Sequence, residues 1–239
     1  MDTPTFASSL AGLMFALIVF VGAKEFLLLR EKKGLNYIDN FFVISLYFFF
    51  WSMTLVFAFQ EIFFALAAGF TTTPFIFLLL LFVFNALVYS LLPKFFKRPQ
   101  NVIKNHPEEL FLYLDYRYIF SKSFDILFQQ AAIILIVLFL RDMGLGLAGI
   151  IPVFALIFGF LHLPLVKTKK KFFGYYFTFS AILSAIFLPL IILQIHYGFV
   201  WSYIVHWLFY SFSSIIFWIG GERIEGIFKT KIKTKIQIS

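Results

Sequence analysis

The 239-residue sequence predicts an all-α polytopic membrane bundle of about seven transmembrane helices, and three observations carry that expectation. The chain is 62% hydrophobic and 13% charged, with mean hydropathy +0.93, whereas a soluble domain is about 45–50% apolar and about 25% charged. Its apolar residues collect into seven runs near the length of about 20 residues that a bilayer crossing requires, at 6–23, 41–60, 74–93, 123–140, 146–165, 173–193 and 198–219. Nineteen of the twenty Lys and Arg residues fall in alternate connecting segments, as the positive-inside rule demands of a chain that crosses repeatedly. Soluble-enzyme readings are thereby excluded. The net charge of +8 does not call for nucleic acid either, because the bases sit between apolar runs, where they set topology.

The apolar stretch 10–23 within the first run is led by Met1 to Leu10, which contains Asp2 and no base, unlike the positive start of a signal peptide, so the run is expected to stay as a span. Lys24, Arg30, Lys32 and Lys33 follow it. The second and third runs are flanked or interrupted by Glu61 at an outer end and by Asn85, which reads as interhelical packing. Lys94, Lys97, Arg98, Lys104, Arg117 and Lys122 come next. Within that segment His106-Pro107-Glu108-Glu109 reads as a solvated helix start, and Leu110 to Phe120 as a helix lying at the cytoplasmic interface.

The fourth and fifth runs are separated by Arg141, the single base on the opposite side. Lys167, Lys169, Lys170 and Lys171 precede the sixth run, and Arg223, Lys229, Lys231, Lys233 and Lys235 follow the seventh. Seven crossings then place the N-terminus outside and the C-terminus in the cytoplasm, in a multi-pass protein of the cell membrane. The last eleven residues read as a short flexible basic tail near anionic lipid. The chain is one polytopic domain, 1–239, with N-terminal spans at 1–107, a core at 108–220 and the tail at 221–239. Having no Cys, it has no disulfide, thiolate nucleophile or cysteine metal site.

Ionisable and amide side chains inside hydrocarbon are expensive and mark functional candidates. Asp125, Gln129 and Gln130 fall in the cytoplasmic half of the fourth run. His162 lies near the cytoplasmic end of the fifth, His206 midway along the seventh with Tyr210 one turn later, and His196 at an outer boundary. The fourth run travels outward and the fifth returns, so Asp125 and His162 are expected at similar depth. A carboxylate and an imidazole around one water suffice for general-base hydrolysis, and a second histidine can donate to an oxyanion. The plain alternatives are an acid placed at a helix start, a histidine reaching for the interface, and a His206–Tyr210 hydrogen-bond pair. No closely spaced ligand pair such as HExxH is present, so no metal is expected. The run 198–219 has no Lys, which excludes a retinal Schiff base there.

Three local texts, Phe124-Asp125-Ile126-Leu127-Phe128-Gln129-Gln130, Phe158-Gly159-Phe160-Leu161-His162 and His206-Trp207-Leu208-Phe209-Tyr210, resemble those of the CAAX-protease and bacteriocin-processing (CPBP) intramembrane peptidases. Phe158-Gly159-Phe160-Leu161-His162 matches the family's Phe-x-x-x-His motif, and His206-Trp207-Leu208-Phe209-Tyr210 resembles His-x-x-x-Asn with Tyr for Asn. Phe124-Asp125-Ile126-Leu127-Phe128-Gln129-Gln130 stands where the family carries Glu-Glu-x-x-x-Arg. The likeness covers about residues 108–220. In one register Phe124 and Asp125 replace the two glutamates and Gln129 the arginine, which aligns the apolar residues between them. In the other, Asp125 takes the first glutamate, Ile126 the second and Gln130 the arginine, and a base survives.

The resemblance implies hydrolysis of a peptide bond near the cytoplasmic leaflet, in a membrane-associated or lipidated peptide, without an organic cofactor. It implies Asp125 as base, His162 sharing the water, and His206 with Tyr210 at the oxyanion. The lost glutamate and arginine equally suit an inactive relative that binds or chaperones a membrane partner. A small transporter is the third expectation. Membrane lipid is the expected surrounding, and no nucleic-acid partner is expected.

Overall fold

The computed structural model describes residues 6–31, 33–68, 71–107, 109–168 and 171–237, with only the backbone course beyond Arg223. The described residues form helices and no strand. In chain order these are α1 (Phe6–Glu31), α2 (Phe41–Ala58), α3 (Gln60–Ala67), α4 (Thr72–Phe95), α5 (Gln100–Asn105), a 3-10 turn (Leu110–Tyr113), α6 (Tyr116–Asp142), α7 (Leu147–Thr168), α8 (Lys171–Gln194) and α9 (Gly198–Gln237). Six helices, α1, α2, α4, α6, α8 and α9, are long and apolar enough to cross a membrane. The apolar stretch of α7, Leu147–Leu163, is shorter.

α6 is the central element. Its run Ala131 to Leu140 is hydrophobic on every side and buried throughout, as expected of a helix wrapped by others. α1 and α2 pack on one side of it and α9 on another, while α7 and α8 form the tightest pair. The outer helices present Phe42, Phe50, Leu79 and Phe179 outward, an apolar surface suited to lipid and not to water. Close approach of α1 to α6 depends on Gly12, where an added Cβ would lie 2.5 Å from Phe139 Cζ. Asn85 does act between helices: Ser211 on α9 donates to its Oδ1 at 2.6 Å, and its amide returns to Leu81 O at 2.9 Å.

α6 ends in a Schellman motif. Gly144, at φ +88, donates to Arg141 O at 2.8 Å, and Leu145 to Leu140 O at 3.2 Å, turning the chain into α7.

Four expectations are corrected. The helix expected over Leu110 to Phe120 is instead a 3-10 turn, a break at left-handed Leu114 (φ 51), and then the start of α6. Asp115 makes that boundary: its Oδ1 accepts from Arg117 N at 2.8 Å as an N-cap, and its other oxygen pairs with Arg117 Nη2 at 2.8 Å. The Arg117 hydrogen bonds hold the Asp115 carboxyl below its ordinary range. Phe111 and Leu112 are core residues, since Phe111 packs on Phe173, Phe177 and Phe217. Second, Glu109 is buried and not solvated; Glu108 lies outside the described residues. Third, the residues read as a flexible tail continue α9 as helix to Gln237, which makes α9 40 residues long, about 60 Å at 1.5 Å per residue. Fourth, Lys24 and Lys122 are not loop charges: both lie inside helices and turn inward.

Candidate functional site

α6 carries Lys122, Asp125 and Gln129 at spacings of three and four, which set all three on one face. Because α6 begins at Tyr116, Asp125 lies nine residues in, roughly 14 Å from the helix start and beyond the first turn where a helix dipole favours an acid. The helix-start explanation of Asp125 therefore fails. Its side chain is 0% exposed.

Two hydrogen bonds reach each of its oxygens. Oδ1 accepts from Lys24 Nζ of α1 and from Gln129 Nε2 at 2.9 Å. Oδ2 accepts from Lys122 Nζ at 2.7 Å and from Tyr37 OH at 3.0 Å. A carboxylate offers about four lone-pair positions, so these donors occupy all of them.

The Tyr37 loop is fastened to α6 by Ser121 Oγ, which donates to Tyr37 O at 2.8 Å. Burial first, and the Asp125 charge next, push the Tyr37 phenol well above its ordinary range, so it remains a donor. The two ammonium groups also face aromatic rings: Lys122 Nζ lies 4.3 Å from the Tyr210 ring centre, and Lys24 Nζ 4.9 Å from that of Phe48.

The cluster borders a cavity of 1370 Å³ between α1 on one side and α7 and α8 on the other, with α6 and α9 behind. Asp125, Gln129, His162, His206 and Tyr210 all line it. Gln130 is not a lining residue; its Nε2 sits 2.7 Å from His206 Nδ1. Phe124 turns away toward Phe49 and Phe120. Part of the wall is on the outer surface of the bundle, because Leu183 and Phe187 line the cavity and are 46% and 51% exposed. The cavity wall is therefore apolar and accessible at these residues.

The two histidines differ in the hydrogen-bonding role they offer. His162 Nδ1 lies 2.7 Å from Phe158 O, a carbonyl that can only accept, so Nδ1 carries the proton and Nε2 is an acceptor in the neutral ring. Gln130 Nε2 donates to His206 Nδ1, which leaves the His206 proton on Nε2. Gln130 Oε1 is buried without a partner among the described residues; turning that amide over would place the His206 proton on Nδ1 and make its Nε2 an acceptor, with His162 unchanged. The His162 nitrogen that has a partner bonds its own helix and not Asp125. His206 and Tyr210 stack at 5.8 Å between ring centres.

Sequence reasoning missed Lys24, Lys122 and Tyr37. Lys122 was detectable as an ammonium three residues before Asp125 on the same helix. Lys24 and Tyr37 come from 101 and 88 residues away, and no local signal joins them to Asp125. Among the described residues, no three His, Asp or Glu side chains converge as metal ligands. Comparison with family models, curated proteins and solved structures gives no match.

Proposed function

We propose that this chain is a divergent, non-hydrolysing relative of the CPBP peptidases, a binding protein whose cavity holds a membrane-embedded ligand. The observation that carries the reading is the saturated Asp125 carboxylate. A general base must accept a proton from water, and Asp125 has two ammonium groups, a phenol and an amide on its four acceptor positions. Freeing an oxygen would mean breaking a buried charge pair. The cluster acts instead as a rigid floor to the cavity, tying α1, the Tyr37 loop and α6 together. Motif order along α6, α7 and α9 supports the family likeness.

In the same reading α7 completes seven crossings of the cell membrane, with the C-terminus and the Lys24–Asp125 end of the bundle toward the cytoplasm. The alternation of basic segments supports that orientation.

The test uses the full chain in lipid nanodiscs. Ser184 lines the cavity from α8, so Ser184→Trp puts an indole into it and narrows it beside His162 and Leu188, which line the same cavity. Ligand that co-purifies with the wild-type chain and is identified by native mass spectrometry is expected to be lost in that variant. Retention of the same ligand in a folded Ser184→Trp protein sinks the cavity-binding reading.

One observation favours a second reading, hydrolysis. An accepting His162 Nε2 and a donating His206 Nε2–H border one cavity, which is a base and an oxyanion donor without Asp125. Cleavage of membrane-anchored peptides that disappears in His162→Ala would replace the binding reading with this one.

A further inference from the structure

The cluster around Asp125 holds more positive charge than negative. Lys24 Nζ pairs with Asp125 Oδ1, and Lys122 Nζ with Oδ2 at 2.7 Å, so two ammonium groups share one carboxylate. Among the described residues no second acid comes within ion-pair distance of either lysine. Glu25 and Glu31 are exposed on the last turns of α1, where water screens their attraction for Lys24. The three buried side chains therefore sum to +1, in surroundings where an uncompensated charge is costly.

That excess faces the cavity. Both lysines line it, and their side chains keep 26% and 10% exposure while Asp125 keeps none. Each ammonium has three N–H groups and gives one of them to Asp125. A further donor adjoins them, the hydroxyl of Tyr210, whose ring centre is 4.3 Å from Lys122 Nζ and which lines the same cavity. The cavity also takes Leu183, Phe187 and Ile191 from α8, spaced four apart and so on one apolar stripe about 12 Å long. An occupant matching both features is an apolar chain that ends in one negative charge.

We infer that the cavity receives a single-chain amphiphile ending in a carboxylate, with the head on Lys24 and Lys122 and the chain along the α8 stripe. This rests on the binding reading above and names its ligand. A second carboxylate makes two cations and two anions, which leaves the cluster neutral, and its two oxygens can accept from both ammonium groups as those of Asp125 do. A phosphate monoester does not match, because it brings close to two negative charges at neutral pH. An uncharged alcohol leaves the excess in place.

Full-length protein in phosphatidylcholine nanodiscs is titrated with tritiated oleate or tritiated oleyl alcohol, which share a chain and differ in the charge of the head, and binding is read over empty nanodiscs. Oleate is expected to bind saturably and about tenfold more tightly than the alcohol, the scale of one charge-assisted hydrogen bond. Lys24→Met leaves a neutral Lys122–Asp125 pair and should bring oleate down to the level of the alcohol. Alcohol binding, the measure of an intact cavity, should be kept in that variant. Lys24→Arg preserves the charge and should preserve the preference for oleate.

Equal affinity of the wild-type protein for the two amphiphiles overturns the carboxylate head, whatever the variants do. A preference for oleate that persists in Lys24→Met overturns its seat on the lysines. Unlabelled dioleoyl phosphatidylglycerol that displaces oleate at equal or lower concentration overturns the single-chain carboxylate in favour of a two-chain anionic lipid. If neither amphiphile binds saturably but a co-purified ligand is still lost in Ser184→Trp, the carboxylate amphiphile is overturned and the cavity reading survives. Loss of both signals overturns the two together.

Discussion

Removing the Asp125 carboxylate should be the most damaging single change in the bundle. At 2.7 Å the Lys122–Asp125 pair has a gross attraction of about 6 kcal/mol at an effective dielectric constant of about 20. The Lys24 pair adds a second attraction, and desolvation of three ions offsets much of both. Taking away only the carboxylate reverses the balance: the desolvation of Lys24 and Lys122 remains, their countercharge is gone, and the two ammonium groups repel. Asp125→Asn should therefore destabilise the protein by roughly 3–5 kcal/mol, the range for an orphaned buried charge. The triple variant Lys24→Met, Lys122→Met, Asp125→Leu removes all three charges and should recover most of that loss. The assay is reversible unfolding in detergent micelles, comparing wild type, Asp125→Asn and the triple variant. Equal stability of Asp125→Asn and wild type would refute the reasoning, because it would mean that Asp125 does not compensate buried lysines.

Three further outcomes follow from the packing. Gly12→Val should cost about 1–3 kcal/mol by forcing α1 away from the Phe139 ring, and a Gly12→Val, Phe139→Ala pair should destabilise less than the sum of its single changes in the same assay. Asn85→Ala and Ser211→Ala should each cost about 1 kcal/mol, and their double-mutant cycle should show coupling, since one hydrogen bond joins them. Asp115→Ala should cost about 1 kcal/mol at neutral pH through the lost N-cap. The folded-state pKa of Asp115 is lowered, so its contribution is present above the unfolded carboxyl pKa of about 3.9 and disappears as pH falls through the lower folded value. The stability difference between wild type and Asp115→Ala should accordingly narrow below about pH 4; a difference that grows on acidification would contradict the cap.

Much of the helical course was legible because it is written in local composition. The apolar run at 123–140 identifies α6, and its hydrophobicity on every side accounts for its central place. Boundaries were less legible. Asp115 is as good an N-cap signal as Pro107 with its two acids, and only packing of Phe111 and Leu112 into the core selects the later start. The basic tail reads as flexible when taken alone, whereas the structure continues it as the last turns of α9. At the site, Asp125, Gln129, His162, His206 and Tyr210 were legible as polar groups in apolar runs, and the fold gathers them around one cavity. Their chemistry was not, because it depends on which donors reach Asp125.

By itself the sequence determined that the chain is helical and apolar enough for a bilayer, where its polar exceptions lie, and which segments carry its positive charge. Each of these is a property of neighbouring residues. Only the tertiary structure decided that Lys24 and Lys122 leave the topological count and close on Asp125, and that Tyr37 joins them. The reason is physical: a carboxylate in an apolar run has a high desolvation cost wherever it lies, but whether it becomes a base, a counterion or a structural hub is set by the donors that packing brings within 3 Å.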